Sequence, residues 1–196
     1  MTTYSKADTL INAAISPMDS TRTVSIVIAF SLFNALAAQI AIPIGPVPIT
    51  MQTFAVTLTG ALLGSRLGAA ALIAYLIEGA VGLPFFAGGA GGLGVLLGPR
   101  AGYLVSFPAA AFITGAFAEH GWDRRFLTSI AAMAIGSAVI LLGGWAWLMV
   151  GLQATALGAF TVGVAPFLIG DVIKILLAAA VLPTGWAILK RKASGS

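Results

Sequence analysis

TFAVTLTGALLGSRLGAAALIAYLIEGAV, residues 53–81, is the stretch on which the topology turns. Its 29 residues are long for one membrane-crossing helix and short for two, because a span needs about 20 residues. Ser65 and Arg66 interrupt it. Read as a tight hairpin at Arg66, it gives six spans at about 24–42, 53–63, 67–81, 102–118, 127–149 and 162–189. Both termini then share a side with Lys6, Arg22, Arg66, Arg124, Arg125, Lys190, Arg191 and Lys192, which are eight of the ten basic residues. Arg100 alone lies opposite, and Lys174 falls within a span. Read as one span, it splits the basic residues three inside and five outside. Cytoplasmic loops carry the excess of Lys and Arg, so the six-span reading is preferred. The expected fold is an all-α integral membrane protein, a bundle of six transmembrane helices with both termini cytoplasmic. It forms a single membrane domain over 1–196, with 1–21 as a cytoplasmic tail.

The rest of the composition agrees. The 196 residues are 59% hydrophobic and 8% charged, with a mean hydropathy of +1.04. A soluble domain carries about 25% charged residues, so an ordinary soluble enzyme is excluded. There is no cysteine and one histidine, His120, which excludes a disulfide framework, a thiolate site and a histidine-cluster metal site. The formal charge of +4 follows the topology and does not mark a nucleic-acid footprint. The long polar lead fits a secretory signal poorly. Between the spans lie PIGPVPIT at 43–50, where three prolines cannot continue a helix and favour an extended, semi-rigid segment, and a glycine-rich run, GLPFFAGGAGGLGVLLGPRAGY, at 82–103. Polar or weakly polar connections follow at 119–125 and 151–160.

Few residues could carry chemistry. In PFLIGDVIKILL, residues 166–177, Asp171 and Lys174 share one helix face inside an apolar segment. Ionisable groups at membrane depth are costly and mark functional sites by default; a self-neutralising ion pair is the competing account. Glu78 either lines the same cavity or pairs with Arg100 at the interface. Arg100 is either an exposed interfacial residue or a capture point for an anionic group. Thr50, Gln52 and Thr53 after the prolines, and Phe85, Phe86 and Tyr103 around the glycines, supply the placed polar groups and apolar walls that a small-molecule pocket needs. Gly60, Gly64 and Gly68 form a smooth stripe suited to packing within the bundle or to a partner helix. The small pairs Ser25/Ala29 and Ser31/Ala35 on the first span are of the same kind and are candidate docking positions. No Gly-Lys dipeptide occurs, so there is no Walker A loop; GxSxG and HExxH are missing as well.

PIGPVPITMQT, then GLPFFAGGAGG with GPRAGY, then PFLIGDVIK together resemble the BioY family, the biotin-binding S components of energy-coupling factor (ECF) transporters. The resemblance spans nearly the whole chain. It implies a prokaryotic plasma-membrane receptor that captures biotin from outside at high affinity. A transmembrane coupling protein and two cytoplasmic ATPases then drive uptake. No cofactor is implied beyond biotin as ligand, and no enzyme activity. Matched to biotin, Asp171 accepts from the ureido N–H groups and Lys174 donates to the ureido carbonyl, while Arg100 takes the valeryl carboxylate; the reverse, with the carboxylate on Lys174, stays open. Phe85, Phe86 and Tyr103 suit the thioether ring, Gln52 and Thr50 complete the polar set, and the proline segment closes as a lid. The alternatives are an S component for another small vitamin and a membrane-embedded acid/base enzyme.

Overall fold

The computed structural model of the chain describes residues 9–15 and 18–194; Lys6 and the side chain of Lys192 lie outside what is described. A short helix α1 (Leu10–Ile15) precedes α2 (Ser20–Gln39). A two-stranded hairpin, β1 (Ala41–Ile42) and β2 (Ile49–Thr50), leads into α3 (Gln52–Leu63) and α4 (Ser65–Ala80). Then come α5 (Ala101–Glu119), α6 (Phe126–Gly151), α7 (Ala156–Gly163) and α8 (Ala165–Ser194). Four helices, α2, α5, α6 and α8, are long and apolar enough to cross a membrane.

The stretch 53–81 is two helices with a one-residue turn. Gly64 has φ +87° and ψ 178°, a region essentially restricted to glycine. Gly64 has no side chain to cap α4, and Glu119 from the end of α5 does so instead. Its carboxylate accepts from the Ser65 backbone N–H at 2.7 Å and from the Ser65 hydroxyl at 2.9 Å. The expected glycine stripe is therefore broken at Gly64. Gly60 and Gly68 face each other across the α3–α4 hairpin, and a Cβ on Gly68 would sit 2.8 Å from the Gly60 Cα. Gly60 also abuts the Ala111 backbone, so the stripe serves packing inside the bundle.

α3 is buried along most of its length and is packed by α2, α4, α5, α6 and α8. At about 18 Å, α3 is shorter than a hydrocarbon layer of about 30 Å, and its ends meet protein. The first span divides by face. Ser25 and Ala29 are exposed, whereas Ser31 and Ala35 are buried. Ser31 turns inward and donates to Glu78 on α4 at 2.6 Å, so this pair is not available for docking.

Two connections differ from expectation. The proline segment doubles back rather than running extended: Ala41 pairs with Thr50 and Ile42 with Ile49, antiparallel. The weakly polar 151–160 connection contains the start of α7, whose Thr155 side chain caps it by accepting from Gly158 N–H at 3.1 Å. The last long helix thus begins at Ala165, after a break at Val164, not at 162. The Gly163 carbonyl freed by that break accepts from the Tyr103 hydroxyl at 2.7 Å.

At the end of the bundle carrying Glu119, the 3₁₀ turn Trp122–Arg124 buries Asp123. Trp186 of α8 donates its indole N–H to Asp123 Oδ2 at 2.5 Å, and the Arg124 guanidinium lies 4.5 Å from the Trp186 ring centre. Burial raises the Asp123 carboxyl above the ordinary aspartate range, opposed by the Trp186 N–H and the Arg124 charge. A raised acid binds more protons folded than unfolded, so its contribution to stability falls as pH rises through that window. Asp123→Asn keeps an oxygen for Trp186 and does not titrate. Melting temperatures across roughly pH 4 to 8 should decline less in Asp123→Asn than in the parent protein, and equal slopes would refute the assignment.

Candidate functional site

A cavity lies where the β1–β2 hairpin, the N-terminus of α3, the glycine-rich turn and helices α5, α6 and α8 converge. It is a narrow cleft: a water-sized sphere can be centred in about 40 Å³ of it, and the empty space of about 510 Å³ includes open solvent at its mouth. Its walls are mainly apolar: Val47, Pro48, Phe86, Ala87, Tyr103, Leu104, Phe107, Ile140, Leu141 and Phe167. Thr50, Gln52, Thr53, Arg100 and Lys174 are its polar lining.

The placement of each group follows from local structure. Thr50 ends β2, and its hydroxyl oxygen accepts the Gln52 backbone N–H at 3.2 Å, satisfying a donor at the start of α3. The same hydroxyl donates to Gln52 Oε1 at 3.2 Å, and Gln52 Nε2 donates to the Tyr75 hydroxyl at 2.8 Å. Tyr75 passes the chain on, donating to the Phe85 carbonyl at 3.2 Å. The Phe86 ring fills the space beside Gly79, where a Cβ would strike it, and meets Tyr75 edge-on at 5.6 Å. Tyr103 stacks on Phe167 with ring centres 6.0 Å apart.

Two charges sit on α8. Lys174 Nζ lies 3.2 Å from Asp171 Oδ1 and donates to the Thr53 hydroxyl at 3.1 Å. Thr53 in turn donates to Asp171 Oδ1 at 2.9 Å, and Ser137 of α6 donates to Oδ2. Both side chains are buried. Asp171 is not on the wall of the main cavity; it lies in a small adjoining cleft shared with Thr53 and Lys174. Arg100 Nη1 donates to the Ala87 carbonyl at 2.9 Å. Among the described residues no carboxylate lies within ion-pair distance of it.

Of the residues singled out in the sequence, Thr50, Gln52, Phe86, Arg100, Tyr103 and Lys174 line one cavity, and Asp171 stands directly behind Lys174. Phe85 contributes its backbone carbonyl to Tyr75 and is not on the wall. Glu78 neither lines the cavity nor pairs with Arg100, because its face of α4 meets Ser31 on α2. The sequence reading missed Val47, Ile140, Leu141 and Phe167, which are apolar residues in apolar segments with nothing to distinguish them. Ser137 had a faint signal as a hydroxyl inside a span. No cluster of three or more potential metal ligands occurs among the described residues.

A helical bundle with four helices long and apolar enough to cross a membrane, holding a mostly apolar cleft with a buried ion pair and a cation bonded to a carbonyl, has the make-up of a membrane protein. The family model described as the BioY family matches residues 7–191, and the chain belongs to that family. It is 44% identical over 154 residues to a probable biotin transporter BioY of Pyrococcus horikoshii, covering 77% of this chain and 88% of the relative. It is 40% identical over 167 residues to the biotin transporter BioY of Rhodobacter capsulatus, covering 79% and 87%. Among solved structures it resembles the S-component for biotin from an ECF-type ABC transporter. The TM-score is 0.74 at 26% identity, covering 85% of this chain and 93% of that one.

The ion pair makes a test of its own. Asp171→Leu leaves the Lys174 charge buried without its partner, which costs about 3–5 kcal/mol. Asp171→Leu combined with Lys174→Leu removes both charges. The double variant should melt well above the single one in detergent. Additive losses would show that the two residues are not coupled.

Proposed function

We propose that this chain is the biotin-binding S component of an ECF-type uptake transporter in a prokaryotic plasma membrane. The observation that carries the proposal is one cavity lined by both Arg100 and Lys174, with Asp171 in the adjoining cleft behind Lys174, in a chain of this family. Lys174 is already neutralised by Asp171, whereas Arg100 has only a carbonyl partner. An anion is therefore best accommodated at Arg100, and this favours Arg100 over Lys174 for the valeryl carboxylate. Lys174 Nζ then donates to the ureido carbonyl. The ureido N–H groups face Thr53, Gln52 and the Asp171 carboxylate behind Thr53. Tyr103, Phe86 and Phe167 bound the thioether ring, and the Pro43 to Pro48 hairpin tip closes the mouth.

The chain forms a single six-span domain over 1–196, with α2, α3, α4, α5, α6 and α8 as spans and both termini cytoplasmic. Contacts at one end of the bundle support this. The α3–α4 turn meets the end of α5 through Ser65 and Glu119, and the α5–α6 turn meets α8 through Asp123 and Trp186. Arg66, Arg124, Arg125, Lys190 and Arg191 gather on these segments. With no native cysteine, a cysteine replacing exposed Leu97 should react with an impermeant thiol reagent in intact cells. One replacing Arg125 should not, and the opposite pattern would invert the topology.

Translocation is assigned to a coupling protein and two cytoplasmic ATPases, with the exposed Ser25/Ala29 face of α2 as the docking surface for the coupling protein. Ala29→Trp should stop uptake and spare binding; loss of binding would place the position in the receptor itself.

The decisive measurement is equilibrium binding of labelled biotin to the purified chain. Saturable binding near one per chain is expected, and its absence would end the proposal. Asp171→Asn turns one acceptor into a donor; a charge-assisted hydrogen bond is worth about 1.5–3 kcal/mol. Affinity should fall about 10- to 150-fold. Unchanged affinity with a lower melting temperature would leave the pair a structural role alone.

A further inference from the structure

Gln39, the last residue of α2, is exposed and does not touch the cavity. Its carboxamide is nevertheless engaged on both sides. Oε1 accepts the Gly89 backbone N–H at 3.0 Å, and Nε2 donates to Ala35 O, one turn back on its own helix, at 3.0 Å. A primary amide has two N–H donors, so one remains for the turn. The Phe86 carbonyl is the nearest there at 3.3 Å, with Phe85 and Pro84 carbonyls at 3.4 and 3.5 Å. The amide thus holds a backbone acceptor and a backbone donor of one tight turn, much as a neighbouring strand would.

That turn is closed by Phe86 N–H donating to Ala90 O at 2.9 Å, with Gly88 and Gly89 at φ +75° and +71°. Phe86 is fully buried and plugs one side of the turn. The peptide between the plug and the Gln39 contact is Ala87, and its carbonyl is the acceptor for Arg100 Nη1 at 2.9 Å. With one N–H of its rigid fork taken by that carbonyl, the rest of the guanidinium has a fixed aim. The aim of Arg100 therefore depends on where the turn is held, and Gln39 holds its glycine side.

We propose that Gln39 is a positioning residue that sets recognition of the ligand's anionic group, acting through the 86–90 turn and the Ala87 carbonyl on Arg100. The proposal rests on the biotin reading above and adds a residue that selects for the carboxylate. A purely structural role would weaken every ligand alike; a role through Arg100 weakens the anion and spares its neutral analogue.

The test measures equilibrium affinities of the purified full chain for biotin and biotin methyl ester, with melting temperature on the same preparation. The parent protein should prefer biotin about tenfold or more, the value of one charge-assisted bond. Gln39→Met keeps the length of the side chain without its hydrogen bonds. Gly88→Ala loads the same turn with a residue disfavoured at positive φ, at a position with open space around it. Either variant should bring the biotin-to-ester ratio towards one while ester affinity stays within about twofold of the parent. If one variant fails to fold, the other decides. Equal loss for both ligands, or an unchanged ratio, overturns the proposal. A parent protein that binds biotin without preferring it to the ester also overturns it and leaves the biotin reading standing; a parent protein that binds neither overturns both.

Discussion

The structure depends on a helix that is too short. α3 has 12 residues and α5 has 19; Gly60 packs on Ala111 and Gly64 on Gly115, so α5 runs about five residues past the end of α3, where Glu119 caps Ser65 at the start of α4. At the other end the same register sets Gln52 level with Tyr103, so α5 begins about 3 Å beyond α3 at 1.5 Å per residue. Backbone groups at membrane depth must be satisfied internally, so that shortfall cannot be left open to lipid. The proline hairpin and the glycine-rich turn fill it from above, and the space between them and the start of α3 is the cavity. Arg100 stands at the start of α5, while Gln52 and Thr53 start α3 at the floor. The site is thus bounded below by the start of α3 and above by these two loops.

Closing that space with loops demands hydrogen bonds, and the site's polar residues supply them. Thr50 caps α3, Gln52 ties Thr50 to Tyr75, and Tyr75 reaches the Phe85 carbonyl. Floor and roof are therefore connected by one chain of donors and acceptors through buried side chains. A ligand that exchanges bonds with Gln52 or Thr50 perturbs the same chain that holds the roof. Gln39 and Arg100 hold the same roof from two other directions.

Much of this was legible in the sequence because membranes price polarity steeply. Long apolar runs, the Ser65-Arg66 interruption and the two charges in 166–177 each broke or obeyed a hydropathy rule. The cavity's polar residues could be named for the same reason. The faces could not. Small-residue spacing grouped Ser25/Ala29 with Ser31/Ala35, but only the contact with Glu78 shows that the second pair turns inward. Glu78 itself was assigned to the cavity or to Arg100 because a carboxylate near the outer end of a span had no other visible partner; a serine 47 positions away leaves no local pattern. α7 was read as a loop because a helix of eight residues beside glycines carries too little periodicity to stand out. Ile140, Leu141 and Phe167 were invisible for the opposite reason, since apolar walls in apolar helices look like any lipid-facing position.

Charge placement within the bundle gives the cavity a direction. Lys174 and Asp171 cancel one another, and Thr53 and Ser137 complete their hydrogen bonds. That side offers donors and acceptors with little net charge, which suits a neutral polar ring. Among the described residues the Arg100 charge is met by the dipole of the Ala87 carbonyl and by no carboxylate, so that side retains a net positive field. Under the proposed biotin assignment, a molecule with a neutral hydrogen-bonding head and an anionic tail is favoured with its head towards α8 and its tail towards the start of α5. The reverse orientation would set the anion beside the Asp171 carboxylate and leave Arg100 without a counter-charge. Each half of that reversal is unfavourable in a medium where charges are poorly screened. The preference for direction therefore does not require close shape complementarity. It follows from pairing one cation of the cavity and leaving the other without a carboxylate.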